Sequence, residues 1–371
     1  MVKADRNGQD DRAVKIQKVR EENKFVEFGD TRREQRIWEK LSALGHPNIL
    51  RLHHIFSYDG KVYFEMDRAD GNAVAIGNRT LIYDITESQG KFPLCENDFI
   101  FLYRDIVEGL HAMHSNNVYH RDIKAENILI KEGRALIADF GLCVDVSDSR
   151  DVVYYQGSPY IEATGTPWRL SPEVLKAQIA PTTSVEYRNG DETFRRREVI
   201  LKVKLAAAAD LWSAACVLYQ MITSTKAGAF YPGAMIKGNA EKYNEQKSLS
   251  NRAKIQLEEI QEFWSQEKKV PNNSQNISDA HELFPSSNPF WDKLLRRKVS
   301  IELLQFFRDL FAEDLYTQRL RSYDQITERL SAWLRKSHHS ASASAGAFPT
   351  QTHKRKHSDS AAVSSKVQKI N

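Results

Sequence analysis

Asp122, Asn127 and Asp139, in that order and at that spacing, constrain this chain more than anything else in it. Asp122 lies in the run His120-Arg121-Asp122-Ile123-Lys124-Ala125-Glu126-Asn127, and twelve residues after Asn127 comes Asp139-Phe140-Gly141. Between them, residues 128–130 and 135–138 read as short strands bracketing the turn Glu132-Gly133. Either tripeptide alone arises by chance. Both, in order, with asparagine five residues after Asp122 and a glycine-bounded pair of strands between, are specific. Asp122 can accept a hydroxyl proton and orient its oxygen.

Charge narrows the partners. The 371 residues hold 53 Lys+Arg against 49 Asp+Glu, a formal +4. Lys354, Arg355, Lys356, Lys366 and Lys369 against Asp359 account for that whole excess, so residues 1–336 are balanced. A balanced body has no net field to offer a polyanion, so no nucleic-acid partner is expected. Cys95, Cys143 and Cys216 are odd in number and far apart, which gives neither a disulfide framework nor metal-ligand spacing and fits a reducing compartment. The first fifteen residues are charged and hold no apolar signal-peptide core. The apolar run 205–222 is broken by Asp210, Ser213 and Gln220, so a buried helix is expected rather than a membrane span.

Periodicity gives the organisation. Residues 12–17 read as a strand, and 30–44 as a helix with Asp30 or Thr31 as its cap and Ile37, Leu41 and Leu44 on one face. Strands are expected at 49–55 and 61–66 around the turn Asp59-Gly60, then a polar linker at 67–72. Residues 97–115 carry a helical stripe of Phe99, Leu102, Ile106, Leu110 and Met113. Further helices are expected at 206–223, 253–267, 300–312 and 323–336. Segments 178–203 and 265–289 are weakly patterned and read as inserts or loops. From 337 to 371 the Ser/Ala/His-rich composition predicts a disordered basic tail. Its run His353-Lys354-Arg355-Lys356-His357 reads either as a nuclear-localisation patch or as a plain solubilising tail, so the expected location is cytoplasmic, nuclear or both.

The pair of motifs resembles the H-R-D-x-x-x-x-N catalytic loop and the D-F-G metal-binding motif of eukaryotic-type protein kinases. The resemblance covers nearly all of residues 1–336. It implies an α+β, bilobal fold: a small sheet-rich N-lobe (1–66), a hinge (67–72) and a larger, mainly helical C-lobe (73–336). It further implies ATP and Mg2+ as cofactors, protein substrates, and an upstream activating kinase, with no membrane partner. In the roles it assigns, Asp122 orients the substrate hydroxyl, Lys124 steadies the γ-phosphate as in Ser/Thr kinases, and Asn127 and Asp139 hold the metal. Ala13-Val14-Lys15-Ile16 resembles the family's V-A-I-K strand, and Glu34, nineteen residues on, its helix glutamate. Lys15 alone would be an ordinary strand lysine; paired with Glu34 it would hold the α- and β-phosphates.

Other stretches extend the likeness. Gly165-Thr166-Pro167-Trp168-Arg169-Leu170-Ser171-Pro172-Glu173 resembles G-T-P-x-x-x-A-P-E, with Thr166 expected against Asp122 and Lys124, and Glu173 paired with Arg319. Asp210-Leu211-Trp212-Ser213 resembles the start of the central helix, where Asp210 would brace the catalytic loop. The adenine slot would be lined by Val2, Ala13, Met66 as gatekeeper, Asp67 and Ala69 at the hinge, and Leu129 as floor. Arg121 suggests control by activation-segment phosphorylation, with Thr164 and Ser158 first among the acceptors. The triplet Arg195-Arg196-Arg197 is a docking surface or, preferably, part of a solvated insert.

One departure stands out. The family's Gly-rich loop does not precede Lys15, and Met1-Val2-Lys3-Ala4 resembles the valine and the K-A of the second strand, just after that loop. The preferred expectation is a piece of a longer kinase; the alternative is a natural loopless protein that is weak or inactive as an enzyme, or a kinase-like scaffold.

Overall fold

The computed structural model describes residues 2–3, 11–18, 24–77, 95–155, 158–179, 183–189, 192–198, 200–225, 228–267, 283–313 and 322–342. Its small lobe is an antiparallel sheet of β1 (Val2–Lys3), β2 (Arg12–Lys18), β3 (Leu52–Tyr58) and β4 (Lys61–Asp67), in the order β1-β2-β4-β3. The β3–β4 hairpin turns at Asp59 and Gly60, both in the left-handed region (φ 51° and 65°), which aspartate tolerates and glycine enters without strain.

Helix α1 (Lys24–Ala43) packs on that sheet through Ile37, Trp38 and Leu41, buried at helical spacing. Trp38 stacks on Phe64 of β4 at 5.6 Å and meets Phe140 of the Asp139-Phe140-Gly141 run at 5.4 Å. The helix begins at Lys24, so Asp30 and Thr31 are interior residues and not caps. A good capping residue is only a local preference; here the helix continues through it.

Strand β3 starts at Leu52, three residues later than the apolar run suggests. Residues 48–50 turn instead to the large lobe. Leu50 N donates to Ile137 O (2.9 Å) and Ile137 N to Asn48 O (2.9 Å). Apolar residues at 49–50 therefore serve a sheet edge in the other lobe, a choice periodicity cannot distinguish.

The large lobe opens with β5 (Gly71–Asn72) and the short α2 (Ala73–Gly77), then α3 (Glu96–Ser115) and β6 (Val118–Tyr119). Strands β7 (Ile128–Lys131) and β8 (Arg134–Ile137) form the expected hairpin, turning at Glu132 and Gly133 (φ 52° and 76°). The register pairs Ile128 with Ile137, and Ala138 N donates to Asn127 O (2.9 Å). Asn127 and Asp139 thus leave the open end of one hairpin side by side. Strand β9 (Val144–Asp145) pairs with β6, and β10 (Val153–Tyr155), β11 (Ser158–Glu162) and α4 (Pro172–Ile179) come next in the chain.

The first expected insert, 178–203, is ordered differently from a loop. Strands β12 (Thr183–Asn189) and β13 (Glu192–Glu198) form an antiparallel hairpin, and β14 (Ile200–Lys202) adds to β11. Tyr187 opposes Phe194 and Glu186 opposes Arg195. The run Arg195-Arg196-Arg197 breaks the alternation along β13 and hides its period in one dimension.

Helix α5 (Ala206–Thr223) runs through the core as expected; all but two of its residues are buried. One helix among the described residues, 203–223, is long and apolar enough to cross a membrane, and it is wrapped by the protein. Around it stand α6 (Asn239–Glu245), α7 (Leu249–Glu267), α8 (Pro289–Leu295), α9 (Ile301–Leu310) and α10 (Tyr323–Ser342). Trp212, Phe230, Phe263, Phe290, Phe307 and Phe311 form their shared aromatic core. Residues 265–267 belong to α7 rather than to the second insert. Helix α10 continues six residues past the expected tail boundary at 336; residues 343–371 lie outside the described set. A Ser/His-rich end extends a helix already nucleated by the packing of its first turns.

Candidate active site

Asp122 is nearly buried, and its carboxylate is held from both sides. Oδ1 accepts from Thr166 N (3.0 Å) and from the Thr166 hydroxyl (2.5 Å). Oδ2 accepts from Lys124 Nζ (2.6 Å) and Asn127 Nδ2 (3.2 Å). Lys124 Nζ also reaches Thr166 Oγ1 (3.1 Å), so the threonine meets both Asp122 and Lys124, the contacts expected of it. Gly165 makes this approach feasible. It sits at φ 141°, and a Cβ there would lie 2.6 Å from Arg121 O. Any side chain would push Thr166 off Asp122.

The loop backbone is braced from beneath. Asp210, 2% exposed, accepts from His120 N (2.8 Å) through Oδ2 and from Arg121 N (2.8 Å) through Oδ1. Burial works to raise this carboxyl, but hydrogen bonding and proximity to His114 and His120 outweigh it and hold it below the ordinary value. Arg121 sits at φ 65°, a conformation that costs about 1–3 kcal/mol and needs such support. His120 Nε2 contacts Ala138 O (3.1 Å) while Asp122 N donates to Nδ1 (3.2 Å), which assigns the Nε2–H tautomer and ties the loop to the β7–β8 hairpin.

Across the cleft, Lys15 Nζ lies 2.7 Å from Glu34 Oε1 and 2.8 Å from Asp139 Oδ1. Glu34 is 1% exposed and takes a second bond from Gln17 Nε2, a partner that sequence reasoning missed. Glu39, one turn further along α1, accepts from Gln35 (3.1 Å) instead, so Glu34 is the lysine's partner. Burial works to lower the Lys15 ammonium, but Glu34 and Asp139 together raise it above the ordinary value. Asp139 is raised by burial and lowered further by Lys15, with a net shift downward. Its own backbone is left-handed (φ 66°).

Ala13, Met66 and Leu129 are buried, and Ala13 lies directly opposite Met66 in the β2–β4 register. Ala69 is half-buried against the same core. The Asp67 carboxylate turns to His53 Nε2 (2.8 Å) and Lys131 (3.7 Å). Val2 pairs with Val14 through the backbone; its side chain lies outside the described set. The walls expected of an adenine slot therefore come from β2, β4 and β7.

Two other features bear on the activation segment. Arg121 donates through Nε to Leu142 O (2.7 Å) and through Nη1 to Glu162 O (2.9 Å); Nη2 is buried with no hydrogen-bond partner among the described residues. Burial, then the nearby Arg33, lower its pKa. Separately, α1 is laced to the segment's start. Arg36 pairs with Asp148 (2.7 Å) and Asp151 (2.9 Å), and Lys40 with Asp145 (2.7 Å). These contacts span more than a hundred residues of sequence and carry no local signal. They hold α1, and so Glu34, toward Lys15. Arg36→Ala is expected to lower Tm by about 2–4 °C, a loss of about 1 kcal/mol, measurable by calorimetry. Because the Arg36 pairs are part-exposed, the deficit should shrink in high salt.

Arg319, the expected partner of Glu173, lies outside the described residues. Glu173 itself is half-buried rather than buried. Among the described residues no three His, Cys, Asp or Glu side chains converge as a metal cage. Asn127 and Asp139 instead offer a two-ligand set of hard oxygens; Asn127 spends its Nδ2 on Asp122, leaving its amide oxygen as the ligand end.

Comparison with known proteins agrees with this geometry. Residues 2–187 match the family model described as "Protein kinase domain". Among curated proteins, the chain is 31% identical over 176 residues to "Cyclin-dependent kinase F-3" of Oryza sativa subsp. japonica, covering 45% of this chain and 36% of that protein. It is 33% identical over 169 residues to "NUAK family SNF1-like kinase 2" of Homo sapiens, covering 45% and 24%. It is 29% identical over 205 residues to "Mitogen-activated protein kinase kinase kinase YODA" of Arabidopsis thaliana, covering 54% and 18%. The chain thus spans well under two thirds of the length of each of these relatives.

Proposed function

This chain belongs to the protein kinase domain family, and from that premise we propose that it transfers the γ-phosphate of Mg-ATP to serine and threonine hydroxyls of protein substrates. The observation that carries the reading is the cradle of Asp122, Lys124, Asn127 and Thr166 facing the Lys15–Glu34–Asp139 triad. In the cradle, Asp122 receives and orients the acceptor hydroxyl. Lys124, fixed between Asp122 and Thr166, supplies a cation where the transferred phosphoryl group would gather charge. Lys15 is anchored by Glu34, and its ammonium would meet the α- and β-phosphates. Asn127 and Asp139 would hold Mg2+, which when bound neutralises charge on the phosphate oxygens. The Arg121 Nη2 group, which has no hydrogen-bond partner among the described residues, supports control by a phosphorylated activation segment, with Thr164 and Ser158 as acceptors.

The test is a transfer assay with the purified chain, labelled Mg-ATP and a mixed protein substrate, then phosphoamino-acid analysis. Label on serine and threonine is expected; label confined to tyrosine would overturn the specificity. In parallel, millimolar Mg-ATP should raise Tm, since a ligand at about 100 times its Kd stabilises the native state by about 2.7 kcal/mol. No shift would favour the scaffold reading.

A further inference from the structure

The final described helix reaches the catalytic loop through a chain of side chains that the transfer chemistry does not itself require. We propose that Tyr323, the first residue of α10, is a positioning residue for phosphoryl transfer, acting through His114 and Asp210 on the backbone beside Asp122. The proposal rests on the protein-kinase reading of the site.

The Tyr323 hydroxyl bonds His114 Nδ1, and His114 Nε2 lies 2.9 Å from Asp210 Oδ2. Asp210 then takes the N–H groups of His120 and Arg121, the two residues that precede Asp122. A single proton assignment satisfies every member: the phenol donates to Nδ1, and Nε2–H donates to the carboxylate. The rings are fixed as well. Tyr323 stacks on His111 at 4.5 Å with planes 16° apart, and meets His114 edge-on at 5.6 Å. Tyr119 of β6 closes the other side of His114 at 4.8 Å. His111 and His114 share one face of α3 at i, i+3 spacing, so one tyrosine can engage both.

The energetic logic comes from burial. Asp210 and the His114 side chain are 2% and 6% exposed. A buried acceptor left without a donor is costly, so the orientation of each group depends on the next. His114 fixes the plane of the Asp210 carboxylate, and that plane aims both oxygens at the loop. The phenol at Nδ1 fixes His114 in turn. Helix α10 is itself seated by buried Ile326, Leu330 and Leu334 and by Trp333 Nε1 bonding Asn97 Oδ1 (3.1 Å) on α3. A helix two hundred residues downstream therefore completes the brace under the loop.

Tyr323→Phe keeps the ring and removes only the hydroxyl. In the full chain it should lower kcat about fivefold, the worth of one hydrogen bond, with KM for ATP unchanged because the Lys15 side of the cleft is untouched. In a His114→Ala background the same substitution should change kcat no further, since the chain is already broken. Arg329→Ala, also on α10 but paired with Asp309, should leave kcat alone. Amide hydrogen exchange at His120 and Arg121 should quicken in Tyr323→Phe, and this arm reads the brace without any turnover. A lowered Tm with kcat and exchange unchanged would make Tyr323 a packing residue and overturn the proposal. A full additive loss in the His114→Ala background would do the same. Absence of all transfer by the wild-type chain would count against the kinase reading alone, and the exchange arm would still decide the role of Tyr323.

Discussion

Asp122→Asn is expected to cut kcat by about 100- to 10,000-fold, the range of a lost general base, while leaving nucleotide binding within a few-fold. The substitution is nearly isosteric, so the loop keeps its shape. Charge and donor count change instead. Oδ1 and Oδ2 accept from Thr166, Lys124 and Asn127 in the native protein. An amide can accept through one oxygen only, and its NH2 would face one of those donors. The Lys124 ammonium would lose its nearest counter-charge at 2.6 Å. None of these groups lies on the Lys15–Glu34 side, so the Mg-ATP thermal shift should survive. kcat and kcat/KM should fall together, the signature of an interaction used in the transition state. Transfer at the native rate by Asp122→Asn would remove Asp122 from the mechanism.

The parts of this site that were legible in the sequence are those with short loops between them. Asp122, Lys124 and Asn127 lie within six residues, and the β7–β8 turn that delivers Asp139 is marked by Glu132-Gly133. Lys15 and Glu34 became legible through the likeness of a whole strand–helix pattern, not through any contact that a lone lysine advertises. The contacts that hold the site in place were invisible for a physical reason. His114 to Asp210 spans 96 residues, Arg36 to Asp151 115, and Tyr323 to His114 209. No local periodicity encodes which charged residue meets which at that separation. The errors at element ends have a different source. The start of α1, the start of β3 and the extension of α10 were settled by tertiary packing, which overrides capping residues and composition alike.

The balance of charge in residues 1–336 also acquires a structural meaning. Lys15 faces Glu34 and Asp139, Lys124 faces Asp122, and Arg36 and Lys40 face Asp145, Asp148 and Asp151. Cations and anions cancel locally, around one cleft.

Lys15→Met separates the two jobs of that lysine. Transfer should fall by about 100- to 1,000-fold, the scale of losing one preorganised electrostatic donor. Stability should fall too, because Glu34 is 1% exposed and, among the described residues, would keep only its bond from Gln17. Breaking a fully buried pair costs about 3–5 kcal/mol; with the ammonium 30% exposed, about 2–3 kcal/mol is expected here. Adding Glu34→Gln removes the stranded charge. The double variant should recover most of the lost Tm and none of the lost activity. pH offers an independent check. The Lys15 pKa is raised, so its contribution is fully present below the ordinary lysine value and is lost as pH rises through the folded value. The Asp139 pKa is lowered, so its contribution is fully present above the ordinary carboxyl value and is lost as pH falls through the folded one. The Tm gap between wild type and Lys15→Met should therefore stay level from about pH 5 to 9 and close only outside that window. A gap that closed near neutrality would remove the Lys15 pairing as the source of the stability, and a double variant that regained activity along with Tm would mean that Lys15 serves the fold alone.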